Sequence, residues 1–244
     1  VFGDEPLLAL EAADRLRLEA RRAGFDQREV LIAESGFSWE RLLMSANSLS
    51  LFGTRRLLDL RIPSGKPGVE GAEALHAYCA RLPVDTMTLV SLPALDWQAR
   101  KSKWFEALDG AGLSVEAKAV EREQLPQWIT RRLALQQQRA SPETLEFIAD
   151  RVEGNLLAAF QEIQKLALLF PAGELSFEQV KDVVLDVARF DVFQLGEALL
   201  AADAGRFARI LDGLKGEGVA PTLVLWAITE EIRALARIAG GLAA

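Results

Sequence analysis

An α/β domain followed by an all-helical region is what this sequence predicts, and two patterns predict it. Up to about residue 120, Leu-, Val- and Thr-rich runs alternate with stretches whose apolar residues recur at helical spacing. Beyond that point the β runs stop and the apolar residues keep a helical period. Strands that alternate with helices call for a parallel sheet covered on both faces. The 244 residues, 50% apolar and 26% charged, hold one large domain or two modest ones with a sizeable core.

Taken in order, Val1-Phe2-Gly3 reads as the end of a strand, and Asp4 as the N-cap of a helix with Pro6 in its first turn. Leu7, Leu8, Leu10, Ala13, Leu16 and Ala20 keep the helical period to about Gly24, with Asp14, Arg15 and Arg17 on its solvated face. A strand is expected at 29–33, then a helix whose inner face is Trp39, Leu42, Leu43 and Ala46. A strand at 56–62, a loop at Ser64-Gly65-Lys66-Pro67-Gly68 and a helix over 70–81 follow. Thr86-Met87-Thr88-Leu89-Val90-Ser91-Leu92 is the clearest strand. A helix over 98–108 turns Trp104, Phe105 and Leu108 inward, and a last strand lies at 113–117. Helices are then expected at 124–138, 142–152, 155–170 and 176–187, with Leu145, Ile148, Ala149 and Val152 facing inward in the second. The third turns Leu156, Phe160, Ile163, Ala167 and Phe170 inward, and Ser141 and Ser176 cap the second and fourth. Three more helices at about 191–202, 204–216 and 221–239 begin a further helical part. Both ends read as cut, so a fragment of a longer polypeptide is expected.

Composition narrows the function. A net charge of −7 argues against a protein that grips nucleic acid unaided, because neutralising phosphates takes a basic face. One cysteine, Cys79, permits no internal disulfide and no Cys-rich zinc site, and it reads as a small buried residue on a helix. The single histidine, His76, and the single cysteine assemble no Ser-His-Asp or Cys-His set, and Glu230-Glu231 reads as a solvated helix face. No apolar run is long enough for a membrane span and no signal peptide opens the chain, so the protein reads as cytoplasmic. No catalytic residue, cofactor or metal is expected.

An α/β domain followed by a small helical bundle is the outline of an AAA+ ATPase module, so the nucleotide site is the test. A P-loop needs Gly-rich amides, a Lys and a Ser or Thr for Mg²⁺. The corresponding junction, Gly3-Asp4-Glu5-Pro6, has neither Lys nor hydroxyl and carries two carboxylates. The Ser64–Gly68 loop holds a Gly-Lys pair in the wrong order, with Pro67 removing an amide. No acid follows the strand that ends at Leu92 until Asp96, past a proline, so Mg²⁺ has no holder there either.

One stretch stands out at a helix-to-strand junction, Ser48-Leu49-Ser50-Leu51-Phe52-Gly53-Thr54-Arg55-Arg56, because it sets a large apolar pair where chains usually meet solvent. Its Ser50–Arg56 part resembles the clamp-contacting segment of the delta subunit of the bacterial DNA polymerase III clamp loader. Four further places carry that resemblance. They are Gly3-Asp4-Glu5-Pro6-Leu7-Leu8, Gln124-Leu125-Pro126-Gln127-Trp128-Ile129, Glu153-Gly154-Asn155-Leu156-Leu157-Ala158 continued by Gln161-Glu162-Ile163-Gln164-Lys165-Leu166, and Arg189-Phe190-Asp191-Val192-Phe193.

The resemblance implies an AAA+-like domain at 1–120 without a working nucleotide site, a lid bundle at 121–188 and the start of a collar domain at 189–244. It implies a clamp-binding site at Leu49, Ser50, Leu51 and Phe52, where Leu49 stands in a place often held by Met in the family. The partners implied are the sliding clamp (beta subunit) and, in a hetero-pentamer, the ATPase gamma/tau and delta-prime subunits, with DNA met only in the assembled loader of the bacterial replisome and no membrane. Polymerase (nucleotidyltransferase) activity would belong to the holoenzyme as an assembly. Two other readings stay open: an active AAA+-type ATPase with an unrecognised site, and a delta-prime type subunit. The latter is expected to carry a Ser-Arg-Cys motif, which this sequence lacks.

Overall fold

A computed structural model describes residues 1–47, 55–184 and 190–242. The chain forms two compact units, Val1–Ala119 and Val120–Ala244.

The first unit runs β1 (Phe2–Gly3), α1 (Pro6–Arg22), β2 (Gln27–Ile32), α2 (Glu40–Asn47), β3 (Arg56–Arg61), α3 (Gly68–Ala80), β4 (Thr86–Pro93), α4 (Trp97–Arg100), α5 (Lys103–Ala111) and β5 (Glu116–Ala117). The strands make one sheet in the order β2-β3-β4-β1-β5, every pair parallel. Period-two alternation sorts β3 between the two faces. Leu58 and Leu60 join Leu31, Leu42, Leu75, Tyr78, Trp104 and Phe105 in the larger core. Leu57 turns the other way and packs with Leu89, Ala13 and Ala20 of α1. The sheet is thus covered on both faces, as the alternating pattern predicted.

Several expectations give way to local chemistry. The N-cap of α1 is Glu5, whose carboxylate accepts from the Leu7 amide at 3.1 Å, whereas Asp4 accepts from the Ala119 amide at 3.0 Å. Leu10 is exposed, and Arg17 is mostly buried because it reaches a carboxylate in β3. The helix expected over 98–108 is two helices: Lys101-Ser102 interrupts it, and Ser102 starts α5. Cys79 is only half-buried, with its thiol pushed up by that burial.

The second unit contains a 3-10 turn (Arg122–Gln124), α6 (Leu125–Leu135), β6 (Gln138–Ala140), α7 (Pro142–Val152), α8 (Leu156–Leu169), β7 (Gly173–Leu175), α9 (Phe177–Val183), α10 (Gln194–Leu200), α11 (Ala204–Gly216) and α12 (Pro221–Leu242). Here β structure does not end at 120: β6 and β7 pair in parallel. Gln137, at φ 59°, stops α6 and turns the chain into β6, and buried Gln138 donates to the Leu166 and Phe170 carbonyls at 3.2 and 2.9 Å. Three residues with one polar partner strand are too short to show a period, which is why the sequence read as helix to 138. The α8 inner face is Leu156, Ala159, Ile163 and Leu166, while Ala167 is exposed. Ser141 caps α7, and Ser176 makes a full capping box with Gln179. A separate apolar cluster gathers Val192, Leu195, Ala198, Ile210, Leu214 and Ala227.

Candidate functional site

In a parallel α/β sheet, ligands bind outside the carboxyl ends of two neighbouring strands whose connections leave in opposite directions. Here those strands are β1 and β4, since β1 connects to β2 at one end of the sheet and β4 to β5 at the other. The backbone amides on the β1 side of this crevice are taken by the chain itself. The Asp4 and Glu5 amides both donate to the Ala117 carbonyl, at 3.1 and 3.2 Å, and the Leu7 amide is taken by Glu5. These are amides that a phosphate-cradling loop would present to its ligand. Burial, and secondly the Asp4 charge, push the Glu5 carboxyl above its ordinary value against the opposing Leu7 bond, so a further anion here would be repelled. On the other side Gly65 lies against Pro93 and Leu95, and the Lys66 amide is spent on Ser64 Oγ at 3.2 Å.

Gly3 makes this pairing possible. A Cβ at that position would stand 1.9 Å from the Ala117 carbonyl oxygen, and the residue has φ 153°. Gly3→Ala is therefore expected to push β5 off β1 and to cost about 1–3 kcal/mol or more through overpacking. A lowered urea midpoint checks this, and an unchanged one would show that β5 moves aside freely.

The sequence-predicted site residues Leu49, Ser50, Leu51 and Phe52 lie outside the described residues. Their frame is well defined. In α2, Leu42 is fully buried and Leu43 packs on the same core, while Met44 is 64% exposed. Past the segment, Arg55 donates to the Ala23 carbonyl at 3.2 Å and covers the Phe25 ring, and β3 begins. A line of polar contacts crosses the sheet between these two ends. Ser45 Oγ donates to Glu29 Oε1 at 2.9 Å, Glu29 Oε2 lies 3.9 Å from Arg56, and Arg56 Nε donates to Thr86 Oγ1 at 3.2 Å. This rail runs along the amino-terminal edge of the sheet, since Arg56 and Thr86 open β3 and β4. The committed amides of Asp4 and Glu5 lie at the carboxyl edge.

The Glu153-Gly154-Asn155 string also resolves into roles. Glu153 ends α7 and is 2% exposed, Gly154 turns the corner at φ 72°, and Asn155 caps α8 by accepting from the Ala158 amide at 3.1 Å. Glu153 Oε1 accepts from Nε and Nη2 of Arg206 in α11, at 3.0 and 2.7 Å. Burial works against the Arg206 charge, but Glu153 outweighs it and the guanidinium pKa is raised. His76 is exposed, and among the described residues no group of His, Cys, Asp and Glu is arranged to hold a metal. No helix among them is long and apolar enough to cross a membrane.

Against known proteins, the chain is 30% identical over 241 residues to the DNA polymerase III subunit delta of Escherichia coli K12, spanning 98% of this chain and 69% of that one. It belongs to the DNA polymerase III delta-subunit family. The family model described as DNA polymerase III, delta subunit, matches residues 1–118. The Haemophilus influenzae delta subunit is 29% identical over 233 residues, covering 94% of this chain and 67% of its own length. The solved Bacillus subtilis DNA clamp loader delta protein shares the fold, with a TM-score of 0.54 at 22% identity over 95% of this chain and 71% of that chain. The α/β unit followed by a helical region, read from the sequence, is accordingly the fold this chain shares with that solved delta protein.

Proposed function

We propose that this delta subunit binds the sliding clamp through Leu49, Ser50, Leu51 and Phe52 and opens it for loading on primed DNA, performing no chemistry of its own. The observation that carries this reading is an apolar pair set between two firmly held chain ends, in a member of a replicative polymerase family. Leu42 and Leu43 fix one end, and Arg55 with Arg56 fixes the other. The commitment of the amides around Glu5 within the chain supports the second half of the proposal, in which nucleotide hydrolysis is left to partner subunits. We assign 1–120 to the AAA+-like domain, 121–188 to the lid and 189–244 to the start of the collar, the separate cluster around Leu195 and Ile210 supporting the last division.

Burying a Leu and a Phe contributes roughly 3–6 kcal/mol, against an association cost of about 4–15 kcal/mol. The pair acts as a hot spot that needs flanking help. Opening follows if the pair prefers a displaced clamp edge, because a ligand shifts a conformation only by its differential affinity. The test is clamp binding by the parent and by a Leu51→Ala/Phe52→Ala double variant. A loss of at least about 100-fold, with the circular dichroism spectrum unchanged, is expected. Equal binding by both would place the contact elsewhere.

A further inference from the structure

The chain ends on either side of residues 48–54 are held by different means, and one carboxylate serves both. After that stretch, Arg56 opens β3, its amide donating to the Asp85 carbonyl at 3.0 Å and its Nε to Thr86 Oγ1 at 3.2 Å. Before it, α2 is packed through Leu42 and Leu43, but its last turn has less hold, and Met44 is exposed. Among the side chains described, Ser45 is the last in α2 with a bond to the rest of the unit, its Oγ donating to Glu29 Oε1 of β2 at 2.9 Å. The final carbonyls of a helix have no partners within it, so its last turn opens first unless something ties it down. Ser is a poorer helix former than Ala, and this hydroxyl reaches across to β2, so its use lies outside α2 itself. The other oxygen of Glu29, Oε2, lies 3.9 Å from Arg56, whose side chain is mostly buried and has Glu29 as its ion-pair partner among the described residues.

We infer that Ser45 and Glu29 are positioning residues for clamp binding: through β2 they tie the end of α2 to the start of β3, and so fix the span between the two ends that carry residues 48–54. The inference rests on the clamp-binding reading of Leu49–Phe52. Only the two ends enter it. A chain fixed at both ends has fewer conformations than one with a loose end, so less order has to be imposed when a partner binds. Cutting the Ser45–Glu29 bond therefore lowers clamp affinity while leaving Leu49, Ser50, Leu51 and Phe52 in place.

The experiment measures sliding-clamp affinity and melting temperature for the parent chain, Ser45→Ala, Glu29→Ala, these two combined, and Leu51→Ala/Phe52→Ala. Ser45→Ala is expected to weaken clamp binding about three- to tenfold, the range that one lost hydrogen bond allows, with the melting temperature unchanged or raised because Ala favours helix. Glu29→Ala is expected to weaken binding at least as much, and adding Ser45→Ala to it to change affinity no further, since the tie is already gone. A bond that served stability alone would lower the melting temperature and leave the affinity of the folded protein as it was. If Ser45→Ala binds like the parent while Leu51→Ala/Phe52→Ala loses binding, the tie is refuted and the clamp-binding reading stands. Losses from Ser45→Ala and Glu29→Ala that add in the combined variant would also refute it, because the two side chains would then act separately. If Leu51→Ala/Phe52→Ala binds as tightly as the parent, the clamp-binding reading falls and the positioning role with it.

Discussion

Arg206→Ala is expected to destabilise the second unit by about 3–5 kcal/mol, the range for removing one partner of a buried ion pair. The reason lies in what stays behind. Glu153 is almost wholly buried at the α7–α8 corner, its Oε1 accepts only from Arg206 among the bonds described, and its Oε2 has no hydrogen bond, Arg122 Nε standing 3.9 Å away. Without Arg206 a carboxylate would be stranded in low dielectric. The surroundings extend the effect, because Glu146, Asp150 and Glu153 form a stripe along α7 that meets Arg122, Arg206 and Arg209. Urea unfolding of the parent, Arg206→Ala, Glu153→Gln and an Arg206→Met/Glu153→Gln double variant measures this. The double variant should recover much of the loss, since removing both charges costs less than removing one. A loss below about 1 kcal/mol in Arg206→Ala would mean that Glu153 finds water or another cation.

Asp59→Asn is expected to cost the first unit about 2–3 kcal/mol at neutral pH, at or below the low end for a broken buried pair, because two of the three arginines can turn to solvent. Asp59 is fully buried in the middle of β3. Its Oδ2 accepts from Nε of Arg17 and of Arg28 at 3.0 and 3.1 Å, and Oδ1 lies 3.5 Å from Arg61. Burial alone would raise its carboxyl pKa, but the hydrogen bonds and charges of Arg17 and Arg28 outweigh it and the net shift is downward from 3.8. A lowered carboxyl pKa gives stability that is fully present above the unfolded value near 4 and is lost as pH falls through the folded value. Parent and Asp59→Asn should therefore differ most at neutral pH and converge in strong acid, where Asp59 is protonated too. Thermal melts across pH 2–7 check this, and a constant gap would assign the effect to packing rather than charge.

Asp59 also shows where sequence reading stopped. An acid between Leu58 and Leu60 left the strand legible, because its neighbours carry the apolar signal, but nothing local said that the acid was inside. Its partners come from α1, β2 and β3, and Arg17 read as surface because its helical neighbours are charged. Arg206 was invisible for the same reason, standing 53 residues from the carboxylate it holds. The delta-subunit strings were legible as strings, whereas the physical role of Glu153 was not.

By itself the sequence determined the alternation of strands and helices up to residue 120, the helical bundle beyond, the caps at Ser141 and Ser176, and the family to which the chain belongs. These depend on periodicity, capping chemistry and short motifs, all of which act within a few residues. Only the tertiary structure decided that the Asp4 and Glu5 amides are taken by the Ala117 carbonyl of β5, that Glu5 rather than Asp4 caps α1, and that Gln138 and Gly173 open a second small sheet. Each of these follows from groups distant in sequence competing for one hydrogen bond or one volume, and the winner is fixed only when the strands are laid side by side.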